Sequence, residues 1–195
     1  MTDYFRLLGQ ARRPWLDENE LKNAYHARTF DAHPDVNPGG DAAAFAGLNE
    51  AYRTLRDPKL RVEHLLHLEE SNAGTGAGSV PAVVQELFPM VTTALQNARA
   101  LTAKLAQTGS ALSRGLLQGE NVACRHQIER CIEQLTVAQD QAEKQLRAID
   151  KRWDDRVSSD IEELRALAAT YSYINRWSAQ LDEARFALQS EGSPI

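Results

Sequence analysis

No apolar run in the 195-residue chain approaches the roughly 20 residues that a bilayer-crossing helix needs, so no membrane span is expected. Met1-Thr2-Asp3-Tyr4 has neither the basic nor the apolar region of a secretory signal, and the protein is expected to stay in a bacterial cytoplasm. Cysteine is scarce. Cys124 and Cys131 stand seven residues apart, about 10 Å of helical rise, which is too far for a disulfide. No Cys/His pair lies near enough to complete a zinc set, so both are expected to be buried thiols in a reducing compartment. Alternating β-branched runs are missing as well, which excludes a sheet and leaves an all-α protein. An excess of positive charge is also lacking. The chain has 22 Lys and Arg against 27 Asp and Glu, with net −3 in residues 1–70 and net −2 in residues 71–195. Neither part has the clustered basic charge of a phosphate-binding module, so nucleic acid is not an expected partner.

What is present is helical periodicity, punctuated by glycine and proline. The Gly/Ser-rich stretch 71–81 reads as a linker between a domain at residues 1–70 and a second at residues 82–190. In the first, Asp3 is placed to cap a helix that closes at Gly9, and Asp17 one that carries Leu21, Ala24, Tyr25, Arg28 and Phe30 and stops near Ala32. Asp41 is placed to cap a third, with Phe45, Leu48, Tyr52 and Leu55 inward, and Asp57-Pro58 starts a fourth. The second and third form an antiparallel helical hairpin with an exposed loop, 33–40, at its tip.

Beyond the linker, three stripes predict an antiparallel three-helix bundle of helices about 20 to 30 residues long. One runs from Leu87 through Val91, Ala98 and Leu101 to Leu105. A second runs from Val122 through Ile128 and Leu135 to Ile149 and Trp153. The third runs from Leu164 through Tyr171, Ile174 and Trp177 to Leu188. Residues 109–119 and 154–160 read as turns, and Pro89 is expected either to start the first bundle helix or to kink it. Trp153, Trp177, Tyr171 and Tyr173 are expected in the bundle core. His64 and His67, three apart on a helix, read as packing or surface residues, because no further metal ligand accompanies them.

The loop at the hairpin tip reads His33-Pro34-Asp35. It follows Asp3-Tyr4-Phe5 and precedes Leu48-Asn49-Glu50-Ala51-Tyr52-Arg53-Thr54-Leu55-Arg56-Asp57-Pro58. Together these residues resemble the J-domain of DnaJ-type co-chaperones over about residues 3 to 68. Asp3 to Gly9, Asp57 to Leu68 and the bundle that follows are most similar to the HscB type, the iron-sulfur assembly co-chaperones.

The resemblance implies a regulator of a partner ATPase rather than an enzyme, with no catalytic residue, no metal and no cofactor of its own. The implied partner is a DnaK/HscA-class chaperone ATPase, docked through His33, Pro34 and Asp35 with Lys22 and Arg28 beside them. Proline would stiffen the tip, Asp35 would offer a carboxylate acceptor and His33 a hydrogen bond that sets the register. Because Lys22, His26 and Arg28 share their helix with Glu18, Glu20 and Asp31, the docking face is expected to be less basic than the family's usual one. The second implied partner is an iron-sulfur scaffold protein, held on Leu87, Met90 and Val91. Two other readings stay open: a J-domain protein whose client is unrelated to iron-sulfur assembly, and an enzyme using His33 and Asp35 as an acid-base pair.

Overall fold

A computed structural model describes residues 2–32, 42–69, 80–153 and 158–190. The secondary structure of the described residues is helical throughout, in seven elements. They form two compact units. The first contains residues 1–79 and 143–169, the second residues 80–142 and 170–195.

In the first unit, α1 (Tyr4–Leu8) starts where the Asp3 side chain accepts the Arg6 N–H at 3.1 Å. It stops at Gly9, whose φ of +67° is left-handed and suits glycine alone at low cost. The Arg28 guanidinium lies against Gly9 so closely that an added Cβ would meet its Nη2 at 2.5 Å. For α2 (Glu18–Ala32), Asp17 Oδ1 accepts the N–H groups of Asn19 and Glu20 at 2.9 and 3.0 Å, the cap expected of that residue. Helix α3 (Ala42–Arg56) buries Leu48, Ala51, Thr54 and Leu55, and α4 (Pro58–Glu69) buries Val62, Leu65 and Leu66. Asp57 caps α4 through the Leu60 N–H at 3.0 Å. The cap position expected of Asp41 lies outside the described residues.

One expectation for this part changes, and one residue is placed that the sequence did not single out. Phe30 belongs to no core stripe: it is 65 % exposed, and Thr29 takes the buried position, its hydroxyl donating to the Tyr25 carbonyl at 2.9 Å. Arg61, an unremarkable helix charge in the sequence, is 5 % exposed. Its Nε donates to the Pro14 carbonyl at 2.8 Å and its Nη1 to the Leu55 carbonyl at 2.7 Å. One guanidinium thus ties α4 to the α1–α2 connection and to the last turn of α3, whose carbonyls have no helical partner.

The first unit also includes the end of α6 (Ala111–Arg152) and the start of α7 (Ser158–Ser190). Asp150 is the main tether. Arg13 Nε reaches its Oδ1 at 3.1 Å, Arg13 Nη2 its carbonyl at 2.9 Å, and the Trp15 N–H its Oδ1 at 3.3 Å. Trp153 is 2 % exposed and donates its indole N–H to the Arg12 carbonyl at 2.8 Å. Arg147 stacks over the Trp15 ring at 4.8 Å. The packing therefore departs from the expected division into 1–70 and 82–190, because residues 143–169 pack with the amino-terminal helices. Trp153 is core, but of this unit. A periodic stripe identifies the buried face of a helix and not what lies opposite it.

The second unit is built from α5 (Ala82–Ala106), α6 up to residue 142, and α7 from residue 170. Its core contains Val91, Ala94, Ala98, Leu101, Ile128, Cys131, Leu135, Ile174, Trp177, Leu181 and Leu188. Pro89 lies inside α5 rather than at its start, so the Gln85 carbonyl receives no helical N–H. The α5–α6 turn is confined to residues 107–110, and Gly115 and Gly119 are helical. At 42 and 33 residues, α6 and α7 exceed the expected lengths. Asp160, expected in a turn, is fully buried in the first turn of α7, where Arg152 Nε donates to it at 2.7 Å. Val122 is 43 % exposed, and its neighbour Asn121 is buried instead, donating to the Leu188 carbonyl at 3.2 Å. Cys124 and Cys131 are buried and unpaired by any disulfide, and burial raises both thiol pKa values. Among the described residues no helix is long and apolar enough to cross a membrane.

Replacing the fully buried Ile128 by Ala is expected to cost about 2–5 kcal/mol, read as a lower denaturant midpoint with an unchanged slope. Arg61→Met keeps the bulk but leaves the Pro14 and Leu55 carbonyls without their donor, and is expected to cost about 1–3 kcal/mol in the same measurement.

Candidate functional site

His33, Pro34 and Asp35 lie outside the described residues, as do all of 33–41. The frame that carries them is described: α2 ends at Ala32 and α3 begins at Ala42. Tyr25 is the seam between these two helices. Its hydroxyl donates to Asn49 Oδ1 at 2.6 Å, and its ring stacks on Tyr52 with centroids 4.3 Å apart. A hydroxyl-amide bond and an aromatic pair on adjacent turns fix the register of the hairpin, and with it the separation of the two ends that hold the loop.

Lys22 and Arg28 are both exposed, but the structure does not bring them onto one face. Six residues of helix leave them about 120° apart round its axis. Lys22 lines an open cleft with Tyr52, Arg56 and Asp57, whereas Arg28 lies over Gly9 at the end of α1. Lys22 is also ten residues from the last residue of α2, Ala32, about 15 Å of helical rise. The outward face of α2 carries Asn19, Asn23, His26, Ala27 and Phe30, all exposed, with neither Lys nor Arg among them. On α3, Arg53 grips the Glu50 carboxylate at 2.6 and 3.0 Å, and this hydrogen bond holds the Glu50 pKa below its ordinary value. Arg53 is thereby paired, and Arg56 rests over Tyr52 at 5.8 Å.

The exposure of Phe30, three residues before His33 in the sequence, is what sequence reasoning missed. Placing Thr29 rather than Phe30 inward depends on the hydroxyl bonding back to Tyr25, which a hydrophobicity pattern penalises.

The expected client face on α5 divides in two. Leu87 and Met90 are partly buried against the core, while Val91 is completely buried and cannot touch a partner while the bundle is intact. Phe88, between them, is 54 % exposed, with its ring 6.4 Å from Trp177. Tyr173, expected in the core, is only partly buried, 5.4 Å from Trp177, with Arg176 stacked on it at 4.8 Å. The exposed apolar surface here is therefore Phe88 with the edges of Met90 and Tyr173. Farther along the same two helices, an open groove floored by Ala98, Ala103, Ala184 and Ala187 runs between Arg99 and Glu183. Among the described residues no group of three or more His, Cys, Asp or Glu is placed to hold a metal ion. His64 and His67 do not act together, since His64 is buried and His67 exposed.

Comparison with known proteins divides along the chain. A family model for the DnaJ domain matches residues 3–64. The chaperone protein DnaJ of Acidiphilium cryptum is 45 % identical over 83 residues, 40 % of this chain and 21 % of that protein. Protein NolC of Rhizobium fredii is 40 % identical over 80 residues, 39 % of this chain and 20 % of its own length. The chain thus spans about a fifth of the length of these curated relatives. The crystal structure of the human co-chaperone protein HscB superposes with a TM-score of 0.55 at 17 % identity, covering 94 % of this chain and 82 % of that one. At that identity the likeness is one of fold. Residues 3–64 match the DnaJ domain, and the described helices share the fold of HscB.

Proposed function

We propose that this protein is a co-chaperone that stimulates ATP hydrolysis by a DnaK/HscA-class chaperone and presents a client, an iron-sulfur cluster scaffold protein, on its second unit. The observation that carries the first half is the DnaJ domain at residues 3–64, which contains His33-Pro34-Asp35 between the two helices that Tyr25 locks in register. In this reading the protein supplies no chemistry. A proline-stiffened tip loses little conformational entropy on docking, and Asp35 offers an acceptor-only carboxylate to donors on the ATPase. Phe30 and Ala27 add apolar area beside the loop, so docking leans less on charge than a basic helix would. Its rate should accordingly depend weakly on salt.

The client assignment follows from the likeness to HscB in sequence and from its fold, and Phe88 supports it as an exposed aromatic anchor beside Met90 and Tyr173. A client unrelated to iron-sulfur assembly would use the same surface.

Single-turnover hydrolysis by the partner chaperone tests the docking half. Wild-type protein should accelerate it, and His33→Gln or Asp35→Asn should lower the stimulated rate by about tenfold or more, the equivalent of one charge-assisted hydrogen bond. Equal stimulation by wild type and His33→Gln would make the docking assignment wrong. For the client half, Phe88→Ala and Met90→Ala should weaken capture of the scaffold protein with the stimulation measured without client unchanged. Val91→Ala should instead lower thermal stability. Undiminished capture by Phe88→Ala would remove that face from the proposal.

A further inference from the structure

His64 is nearly sealed from solvent, 4 % exposed, although it stands on a helix only three residues from the exposed His67. Its ring stacks on Tyr4 at 4.5 Å and on Phe5 at 5.8 Å. Its Nε2 accepts the backbone N–H of Tyr4 at 3.1 Å. A nitrogen that accepts cannot carry a proton, so the neutral ring holds its one hydrogen on Nδ1, which has no hydrogen-bond partner among the described residues. The Tyr4 N–H opens α1, one of the amides that a helix leaves without an internal acceptor. Asp3 serves a second such amide, that of Arg6. The start of α1 is therefore held by one carboxylate and one neutral imidazole.

We propose that His64 is a proton-operated latch on α1, closed while the ring is neutral and opened when Nε2 takes up a proton. Protonation turns the acceptor into a donor that faces another donor, the Tyr4 N–H. It also places a positive charge in a buried site between two aromatic rings. The groups around the ring set the balance. Burial opposes the charged form most strongly, the Asp3 carboxylate favours it, and His67 on the same helix and Arg12 in the α1–α2 connection oppose it. Arg12 is itself bound to Asp3 at 2.8 Å and lies 3.8 Å from Glu69, so part of the Asp3 charge is already engaged. On α3, Arg53 interacts with Tyr4 and is paired with Glu50. The net effect keeps the pKa of His64 below its ordinary value of 6.5.

The sign follows from linkage. As pH falls below about 6.5 the unfolded chain takes up a proton at His64 before the folded one does, so stability declines from there down to the lower native pKa and no further. Asp3 behaves separately. Burial raises its pKa, but the hydrogen bonds from the Arg6 N–H and Arg12 and the charge of Arg12 outweigh this, leaving it below 3.8. Its contribution is thus lost only in stronger acid. Between the two windows the loosening of α1 belongs to His64. Because α1 brings Phe5 and Leu8 into the core of its unit, opening the latch loosens that core.

The test uses the full chain and needs no partner. Thermal unfolding of wild type and His64→Gln is compared at about pH 7.5 and about pH 5.5, Gln being able to accept the Tyr4 N–H without titrating. Wild type should lose about 3 °C or more beyond the loss seen in the variant. Nitrogen-detected NMR of the wild-type histidines supplies a second readout that does not depend on the variant folding. The His64 ring should be the Nδ1–H tautomer at neutral pH and titrate with a midpoint below 6.5. The same pH dependence in both proteins, an Nε2–H tautomer, or a midpoint at or above 6.5 would overturn the latch.

Discussion

The pairing of α2 with α3 through Tyr25 is the constraint on which the amino-terminal domain depends. A helical hairpin can slide by a turn and still bury similar area, since leucines recur at that spacing. The Tyr25 hydroxyl on Asn49 and its ring on Tyr52 remove that freedom, because neither contact survives a shift of 5.4 Å. Arg61 then ties α4 to the end of α3 and to Pro14, and Gly9 admits Arg28 against the end of α1. The Arg61 link joins side chain to backbone at the end of α3, where the main chain has unspent hydrogen-bonding capacity. A small domain with a modest core gains specificity from such links more than from area.

The same domain recruits support from far along the chain. Asp150 and Trp153 bind the Arg12–Trp15 segment, and Arg147 covers Trp15. The connection between α1 and α2 is thereby held by residues some 135 positions away. That arrangement explains how Pro14 can present its carbonyl to Arg61 in a fixed position.

Local chemistry made the helix ends legible in the sequence. Asp3, Gly9, Asp17 and Asp57-Pro58 act through their own neighbours and sit where a reading of caps and stops puts them. The all-α class followed from the absence of alternation. What escaped was partnership. The stripe ending at Trp153 revealed an inward face without revealing that its last turns pack on another part of the chain. The choice of Thr29 over Phe30 and of Asn121 over Val122 for burial depends on a hydroxyl and an amide finding backbone carbonyls, which no hydrophobicity pattern records. The basic pair Lys22 and Arg28 looked like one surface and occupies two, a consequence of helical geometry that becomes visible once the flanking helices are in place.

Docking of a DnaK-class chaperone on the outward face of α2 and the loop beyond it is the central claim, and it is open to direct mapping. Amide chemical-shift perturbation of the labelled full chain, titrated with the ATP-bound chaperone, should be largest at Asn23, His26, Phe30, His33 and Asp35 and small at Phe88 and Tyr173. Perturbation confined to residues 80–190, or none at saturating chaperone, would contradict it.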